Sequence, residues 1–429
     1  MAFMFSRRFG IAAALLCAAA LPARAQDVQV AQQASPGETK GVRLGPSLVL
    51  NTGLGAELGY TSNVFYEEDN RNPDSSAIAR LMASFALTSA PVPKESPKRF
   101  DLLASLSATY QEYLSGQDKI TQNRDVAVSA LLRAIVYAGT HVALGVEDSF
   151  TRAIQPTDFE ENLNRDINRL AAFVSWKPGE GAVEVKAGYA YNFDIFESSS
   201  DVFGALDRSA HEFFLNARWQ YLPITRFFFD YNQQITNPDA DSGRSAGAPM
   251  KLTLGVSTLF SAKTHVQARV GYGNGFYEDR AVAANSANYS SVLAGVDLTW
   301  LPTPLSKLTL SYEHNFADSV FSNFYVDDVV RLRYDQNTGG RLSLRGKAEY
   351  RHRSYEGLPD GLAFNDTRRV DNILSGEALV DYALTTRYFV GAGYIVVSDQ
   401  SDFRITSGTT TEDPSYLRHE VFGRFSASF

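Results

Sequence analysis

The sequence of 429 residues is poor in the residues that build metal and redox sites, with one cysteine and six histidines. Cys17 lies in an apolar N-terminal stretch typical of an export signal, so the mature chain is expected to have no disulfide and no thiolate ligand. The histidines, at positions 141, 211, 265, 314, 352 and 419, fall in separate segments without metal-ligand spacing. No motif brings a nucleophile, a base and an orienting group together. The sequence therefore predicts no metal, no cofactor and no enzyme activity.

Long apolar runs and an excess of basic residues are also missing. No stretch approaches the length of about 18 consecutive apolar residues that a transmembrane helix needs. Asp and Glu number 48 against 40 Lys and Arg, giving a net charge of −8, and loss of three arginines with the signal would bring it to −11. An acidic balance argues against nucleic acid as a partner.

The first 46 residues are predicted to lie outside the folded domain. Arg7 and Arg8 precede an apolar run from residue 10 to 21, and an Ala-Arg-Ala cleavage site follows at 23–25. A twin-arginine signal is less well supported because only part of its motif is present. Lipidation of Cys17 is disfavoured because Leu16 is large where a small residue is needed. We predict a signal peptide over residues 1–25 and a flexible periplasmic lead over 26–46.

From residue 47 to 429 the dominant pattern is alternation of apolar and polar residues with a period of two. Leu308, Leu310 and Tyr312, for example, alternate with polar residues. A helix would spread such residues around its whole surface, so the pattern predicts strands. We count eighteen segments, with 16 as the alternative, centred roughly at residues 56, 83, 106, 129, 146, 170, 188, 214, 230, 254, 270, 294, 312, 331, 348, 375, 393 and 422.

The connections between these segments alternate between short and long. Tight turns such as Leu222-Pro223 follow the even segments, and longer polar stretches such as 236–247 follow most odd ones. Short periplasmic turns and longer outer loops are typical of outer-membrane barrels. A backbone N–H or C=O group without a hydrogen bond is costly in lipid, so an open sheet edge is unfavourable there. Residues 416–429 should therefore pair with residues 47–65 and close the sheet. The predicted fold class is all-β: a single closed antiparallel transmembrane β-barrel over residues 47–429.

Aromatic residues cluster at the ends of the segments. Trp176, Trp219 and Trp300 each lie just before a tight turn, and Phe429 ends the last segment. The opposite ends carry Tyr60, Tyr110, Phe150, Phe193, Tyr272 and Phe316. Such residues favour the two membrane interfaces, so the pattern predicts a periplasmic and an outer aromatic belt. A soluble sandwich is the alternative, but it would not sort tryptophans and tight turns to the same end.

Two short stretches carry a family resemblance. The last segment, YLRHEVFGRFSASF, resembles the C-terminal signature of bacterial outer-membrane barrels, which the barrel-assembly machinery reads. Residues 59–65, GYTSNVF, resemble the Y-x-x-N-V-[FY] opening of the putative β-barrel porin type 2 family. The resemblance implies a porin-like barrel in the outer membrane, in contact with its lipid and with the assembly machinery. Barrels of this general type also serve as conduits for secreted polysaccharide, which would add periplasmic export components as partners.

Charged residues alternate with the apolar ones and are expected to face the lumen. The cations concentrate near the C-terminus: Arg331, Arg333, Arg345, Lys347, Arg351, Arg418 and Arg424. The acids lie on other segments: Glu147, Glu184, Asp194, Asp230, Asp297 and Glu313. Opposed walls would orient anionic solutes, whereas paired charges would only neutralise one another, and both interpretations stay open. Arg353 has the same inward parity, and His352 and Arg353, close to a loop, are expected at a solvated rim.

Three functions fit these features. The first is a channel that passes polar or charged solutes through a water-filled lumen. The second is a conduit for secreted polysaccharide with polar and aromatic sliding contacts. The third is a structural or adhesive barrel, which the modest length of the loops disfavours.

Overall fold

The computed structural model describes residues 41–68, 72–90, 99–155, 163–178, 181–197, 207–238, 246–277, 288–319, 322–356, 369–407, 410–412 and 414–429. The predicted signal peptide, and the predicted lead up to residue 40, lie outside the described residues. The end of the predicted lead contains a short strand, β1 (Val42–Leu44), which pairs with the first strand of the barrel.

Eighteen antiparallel strands form the wall, as the sequence predicted, and the alternative of 16 is wrong. In the described part of the chain, no helix is long and apolar enough to cross a membrane. A short helix and a two-stranded hairpin lie in connections between the wall strands. The elements after β1 are β2 (Leu48–Thr61), β3 (Ser76–Ser89), β4 (Phe100–Leu114), α1 (Asp118–Thr121), β5 (Asp125–Val136), β6 (Val142–Gln155), β7 (Leu163–Trp176), β8 (Val183–Glu197), β9 (Arg208–Leu222), β10 (Thr225–Pro238), β11 (Met250–Ser261), β12 (Thr264–Asn274), β13 (Ser290–Trp300), β14 (Ser306–Asp318), β15 (Phe324–Asn337), β16 (Leu342–Glu356), β17 (Arg369–Ala383), β18 (Tyr388–Ser401), β19 (Ile405–Ser407), β20 (Thr410–Glu412) and β21 (Tyr416–Ser428).

The sheet closes where the sequence predicted. β21 pairs with β2 in a register that runs from Gly53–Ser428 to Thr61–Glu420. Next to the Gly53–Ser428 pair, Thr52 and Phe429 exchange backbone hydrogen bonds of 3.0 and 2.8 Å. The prediction of a single closed antiparallel barrel is confirmed.

The two faces of the wall differ in chemistry. On β2, Leu54 and Leu58 are 60 and 66 % exposed, whereas Glu57 is 3 % exposed. The polar face also makes contacts between strands that are not neighbours: Lys251 of β11 donates to Asn315 Oδ1 of β14 at 2.9 Å. Such side chains can meet only across the interior of a closed barrel. The polar face is therefore the inner face, and the apolar face is directed towards lipid.

Tight turns join the strands on one rim. Pro223–Ile224 joins β9 to β10, and Ala262–Lys263 joins β11 to β12. Gly339, between β15 and β16, has a φ of 74°, a left-handed conformation that favours glycine. The C-terminus lies on this rim too, since the Ser428 amide donates to the Arg387 carbonyl of the β17–β18 turn at 2.9 Å. We call this end the turn rim and the opposite end the loop rim.

Candidate functional site: the charged inner wall

The inner faces of β15 and β16 carry a dense group of cations. The register places Arg331 opposite Glu349 and Arg333 opposite Lys347. Oxygens of the Glu349 carboxylate lie 2.7 Å from Arg331 Nε, 2.6 Å from Arg351 Nη2 and 3.4 Å from Lys347 Nζ. Three positive charges therefore surround this one carboxylate, and Arg351 also lies 3.9 Å from Asp327.

A second group of cations surrounds two aspartates. Arg333 donates to Asp335 through Nε and Nη2 at 2.9 and 3.2 Å, and Arg345 Nε lies 3.5 Å from the same carboxylate. Arg353 donates to Asp327 through Nε and Nη2 at 2.7 and 2.8 Å. Arg353 is only 2 % exposed, so the expectation of a solvated rim position is wrong.

These contacts leave an excess of positive charge on two adjacent strands, which we call the basic wall. Its inner face holds six cations and three carboxylates: Arg331, Arg333, Arg345, Lys347, Arg351 and Arg353 against Asp327, Asp335 and Glu349. The next strand, β17, has the opposite balance, with Asp371, Glu377 and Asp381 against Arg369. The excess is therefore local to β15 and β16.

The two remaining predicted cations lie on β21. Arg418 donates to Glu420 at 2.8 Å and to Thr61 Oγ1 at 3.0 Å, and it also bonds the Tyr66 hydroxyl. Arg424 donates through Nε to Asp381 at 2.8 Å. Both arginines are engaged with neighbours, and neither adds to the basic wall.

The six predicted acids all have a donor close by. The partners are Arg169 for Glu147 (3.5 Å), Lys177 for Glu184 (3.2 Å), Arg165 for Asp194 (2.6 Å), Asn216 for Asp230 (2.7 Å), Ser311 for Asp297 (2.6 Å) and Arg269 for Glu313 (3.0 Å). Cations are interleaved with these carboxylates, which therefore form no continuous acidic wall opposite the basic one. In the part of the chain that the structure describes, no group of three or more His, Cys, Asp or Glu side chains could hold a metal ion.

The sequence pattern did not predict how aromatic rings pack over glycines on the inner face. Phe173 and Phe214 are 7 and 8 % exposed, and each ring lies where a Cβ on a neighbouring strand's glycine would stand. The Lys186 ammonium covers the Phe173 ring at 3.8 Å. The ring–glycine pairs of this kind include Phe173–Gly145, Phe214–Gly188, Phe228–Gly255 and Phe422–Gly393. Lys186 over Phe173 and Arg169 over Phe214 therefore leave polar surface, not aromatic surface, towards the interior at these two rings.

The segment that carries the family motif folds against the inner face. Asn63 is fully buried, and its side chain accepts from the Glu67 amide at 2.9 Å and donates to the Glu67 carbonyl at 2.7 Å. The next two residues, Val64 and Phe65, pack into a buried cluster with Ile78, Tyr113 and Ile120. Asn63 therefore shapes a turn that holds residues 64–67 against the inner face, a role that its sequence pattern did not reveal.

The aromatic positions divide between the two rims. Trp176 and Trp300 are the last residues of their strands, and Trp219 lies three residues before the end of β9, so all three are near the turn rim. They are 45 to 50 % exposed, as is expected of side chains directed towards lipid. At the loop rim the outer-belt prediction is wrong for Phe316, which is 1 % exposed.

Several solved structures of bacterial proteins have a distant likeness to this chain. OccAB4 of Acinetobacter baumannii is 12 % identical, over 89 % of this chain and 98 % of that one, with a TM-score of 0.47. OccK1 (OpdK) of Pseudomonas aeruginosa is 12 % identical, over 89 % and 99 %, with a TM-score of 0.45. The FrpB iron transporter of Neisseria meningitidis is 10 % identical, over 88 % and 81 %, with a TM-score of 0.47.

No curated protein matches the sequence. The family model described as Putative beta-barrel porin 2 matches residues 35–413, which is most of the chain. That match spans the strands of the wall from β2 to β18 and includes the GYTSNVF opening. An outer-membrane location follows from the family and from the closed barrel with its apolar outer face. The chain belongs to the Putative beta-barrel porin 2 family.

Proposed function

We propose that this protein is an outer-membrane channel that passes small polar and charged solutes and favours anions. The observation that carries the proposal is the basic wall, with six cations and three carboxylates on the inner faces of two adjacent strands. A local positive potential inside a low-dielectric wall raises the concentration of anions near it. The turn rim would face the periplasm and the loop rim the cell exterior.

The size of the barrel supports an aqueous path. With neighbouring strands roughly 4.8 Å apart and tilted by roughly 40°, eighteen strands enclose a cylinder about 36 Å across between backbones. Side chains that project a few ångströms from each wall do not fill such a width. Residues 63–67, which pack against the inner face, narrow it.

The inner aromatic side chains argue against a polysaccharide conduit. Sugar rings slide over exposed aromatic faces, but Phe173, Phe214 and Phe422 are each less than 9 % exposed. We therefore favour diffusing solutes over a polymer. Recognition of the Phe429 strand by the barrel-assembly machinery is part of the same proposal, because that strand closes the sheet.

Reversal potentials in planar bilayers test the selectivity. With KCl at unequal concentrations on the two sides, the wild-type channel should show a reversal potential displaced towards that of chloride. The double substitution Arg345→Glu with Lys347→Glu should move it towards potassium, and the neutral pair Arg345→Gln with Lys347→Gln should lie between. The differences should shrink as salt rises, because the Debye length is roughly 10 Å at 0.1 M and shorter above it.

The absence of ion conductance in wild-type protein would overturn the channel itself. Equal ion preference in all three proteins would overturn the role of the basic wall and leave its charges as paired scaffolding.

A further inference from the structure

The wall is not continuous between β13 and β14. Within the described residues 288–319, the pairing of these two strands ends at Ala294 and His314. β13 continues to Ser290, still paired with β12, and β14 continues to Asp318, still paired with β15. The barrel therefore divides over Ser290–Leu293, at the loop rim.

Side chains bond three of the backbone groups that the division exposes. Continuing the same register would pair Val292 with Phe316. Instead, the Val292 carbonyl accepts from the Tyr289 hydroxyl at 3.0 Å, and the Phe316 carbonyl accepts from the Lys251 ammonium. The Phe316 amide donates to Asn315 Oδ1 at 2.9 Å. An unbonded backbone group in lipid is costly, so these bonds stabilise the divided wall.

Beyond His314, β14 leans into the barrel. The Phe316 ring lies against the inner-face residues Gly273 and Lys251, with the Lys251 ammonium 4.7 Å from its centre. Asp318, further along, bonds Arg208 of β9 at 3.2 Å across the interior. This inward turn is why Phe316 does not join the outer belt.

An aromatic cluster closes the division from the inside. Phe316 stacks on Tyr289 with centroids 4.1 Å apart, and both pack with Leu293 and Phe324. On the lipid side, Val292 is 55 % exposed. We call the four packed residues Tyr289, Leu293, Phe316 and Phe324 the seam cluster. Among the described residues, side-chain packing and not a strand ladder separates the interior from lipid at this place.

We propose that the division between β13 and β14 is a side exit through which small apolar solutes pass between the barrel interior and the outer leaflet. The seam cluster is buried while the division is closed, and displacement of Phe316 would expose its aromatic and aliphatic surface, which suits an apolar solute and not an ion. Displacing Phe316 would open a passage without breaking any rung of the sheet. This function goes beyond the aqueous channel, which would carry polar solutes along the barrel axis.

Uptake of the apolar dye N-phenyl-1-naphthylamine by intact Gram-negative cells producing the protein tests the proposal, since the dye fluoresces on entering the membrane. Phe316→Ala removes the ring that closes the division, and Lys251→Met removes the bond that holds it. Both should raise the initial rate of dye uptake several-fold above the wild-type rate. The matched control is Phe173→Ala, which removes another inner ring lying over a glycine, but between β6 and β7, which are paired along their whole length.

A rate for Phe316→Ala equal to wild type, or an equal rise in Phe173→Ala, would overturn the side exit. Backbone amide hydrogen exchange on the wild-type protein gives a second test, which does not depend on whether a variant folds. Residues 290–293 should exchange faster than residues 294–300 of the same strand, and equal protection would contradict the division. Conductance of the same variants in planar bilayers is measured separately, so loss of the aqueous channel is distinguishable from loss of the side exit.

Discussion

Arg80 joins three strands at the place where the barrel closes. Its guanidinium on β3 bonds Glu420 of β21, lies 3.4 Å from Glu57 of β2 and donates to Gln111 of β4 at 2.9 Å. Arg80, Glu57 and Glu420 are each no more than 4 % exposed. This buried network ties the first strands to the last one.

Replacing Arg80 with methionine keeps an unbranched apolar stem and removes the charged guanidinium. Glu420 retains Arg418, whereas Glu57 loses its nearest cation while remaining buried. Breaking a buried ion pair by removing one partner costs roughly 3–5 kcal/mol. We expect Arg80→Met to lower the free energy of unfolding by about that amount, a large part of the roughly 5–15 kcal/mol of a typical protein.

Urea unfolding in detergent micelles, followed by tryptophan fluorescence, measures this difference. The control is Arg331→Met, because Glu349 keeps Arg351 and Lys347 when Arg331 is lost. That variant should lose roughly 1 kcal/mol or less, the usual worth of a partly exposed pair. If Arg80→Met unfolds at the same urea concentration as Arg331→Met, the network does not stabilise the closure and the reasoning is wrong.

The fold was predictable because every strand of a barrel in lipid alternates apolar outer residues with polar inner residues. Tyr350, 46 % exposed, and Arg351, 7 % exposed, lie on the faces that their parity predicts. The sharing of Glu349 by three cations depends on the register of β15 against β16, which no local pattern sets. The alternation predicted the wrong face for Phe316, because β14 separates from β13 there and turns inwards. Such departures from regular strand pairing depend on tertiary contacts, and the alternation of residues along one strand does not predict them.

Three other substitutions or deletions probe the wall and its closure. Gly145→Ala places a methyl group in the space of the Phe173 ring and should cost roughly 1–3 kcal/mol in the same urea assay, whereas Gly423→Ala, with open space around it, should change stability by less than about 0.5 kcal/mol; equal effects would contradict the packing. Asn63→Ala leaves the Glu67 amide without its side-chain acceptor and should speed hydrogen exchange there; unchanged protection would count against the anchored first loop. Deleting Phe429, whose backbone bonds Thr52, should reduce the amount of folded barrel in the outer membrane far more than deleting a residue of the predicted 26–46 lead; equal assembly of both would refute the role of the terminal strand.

The central claim is that the charged face of the wall lines a conducting interior and the apolar face meets lipid. Single-channel recording before and after a charged methanethiosulfonate reagent tests it most directly, on Arg345→Cys and on its sequence neighbour Leu344→Cys. The mature chain is predicted to have no other cysteine. The reagent should change the conductance of the Arg345→Cys channel in a clear step and leave the Leu344→Cys channel unchanged. A step at residue 344 and none at residue 345 would contradict the account.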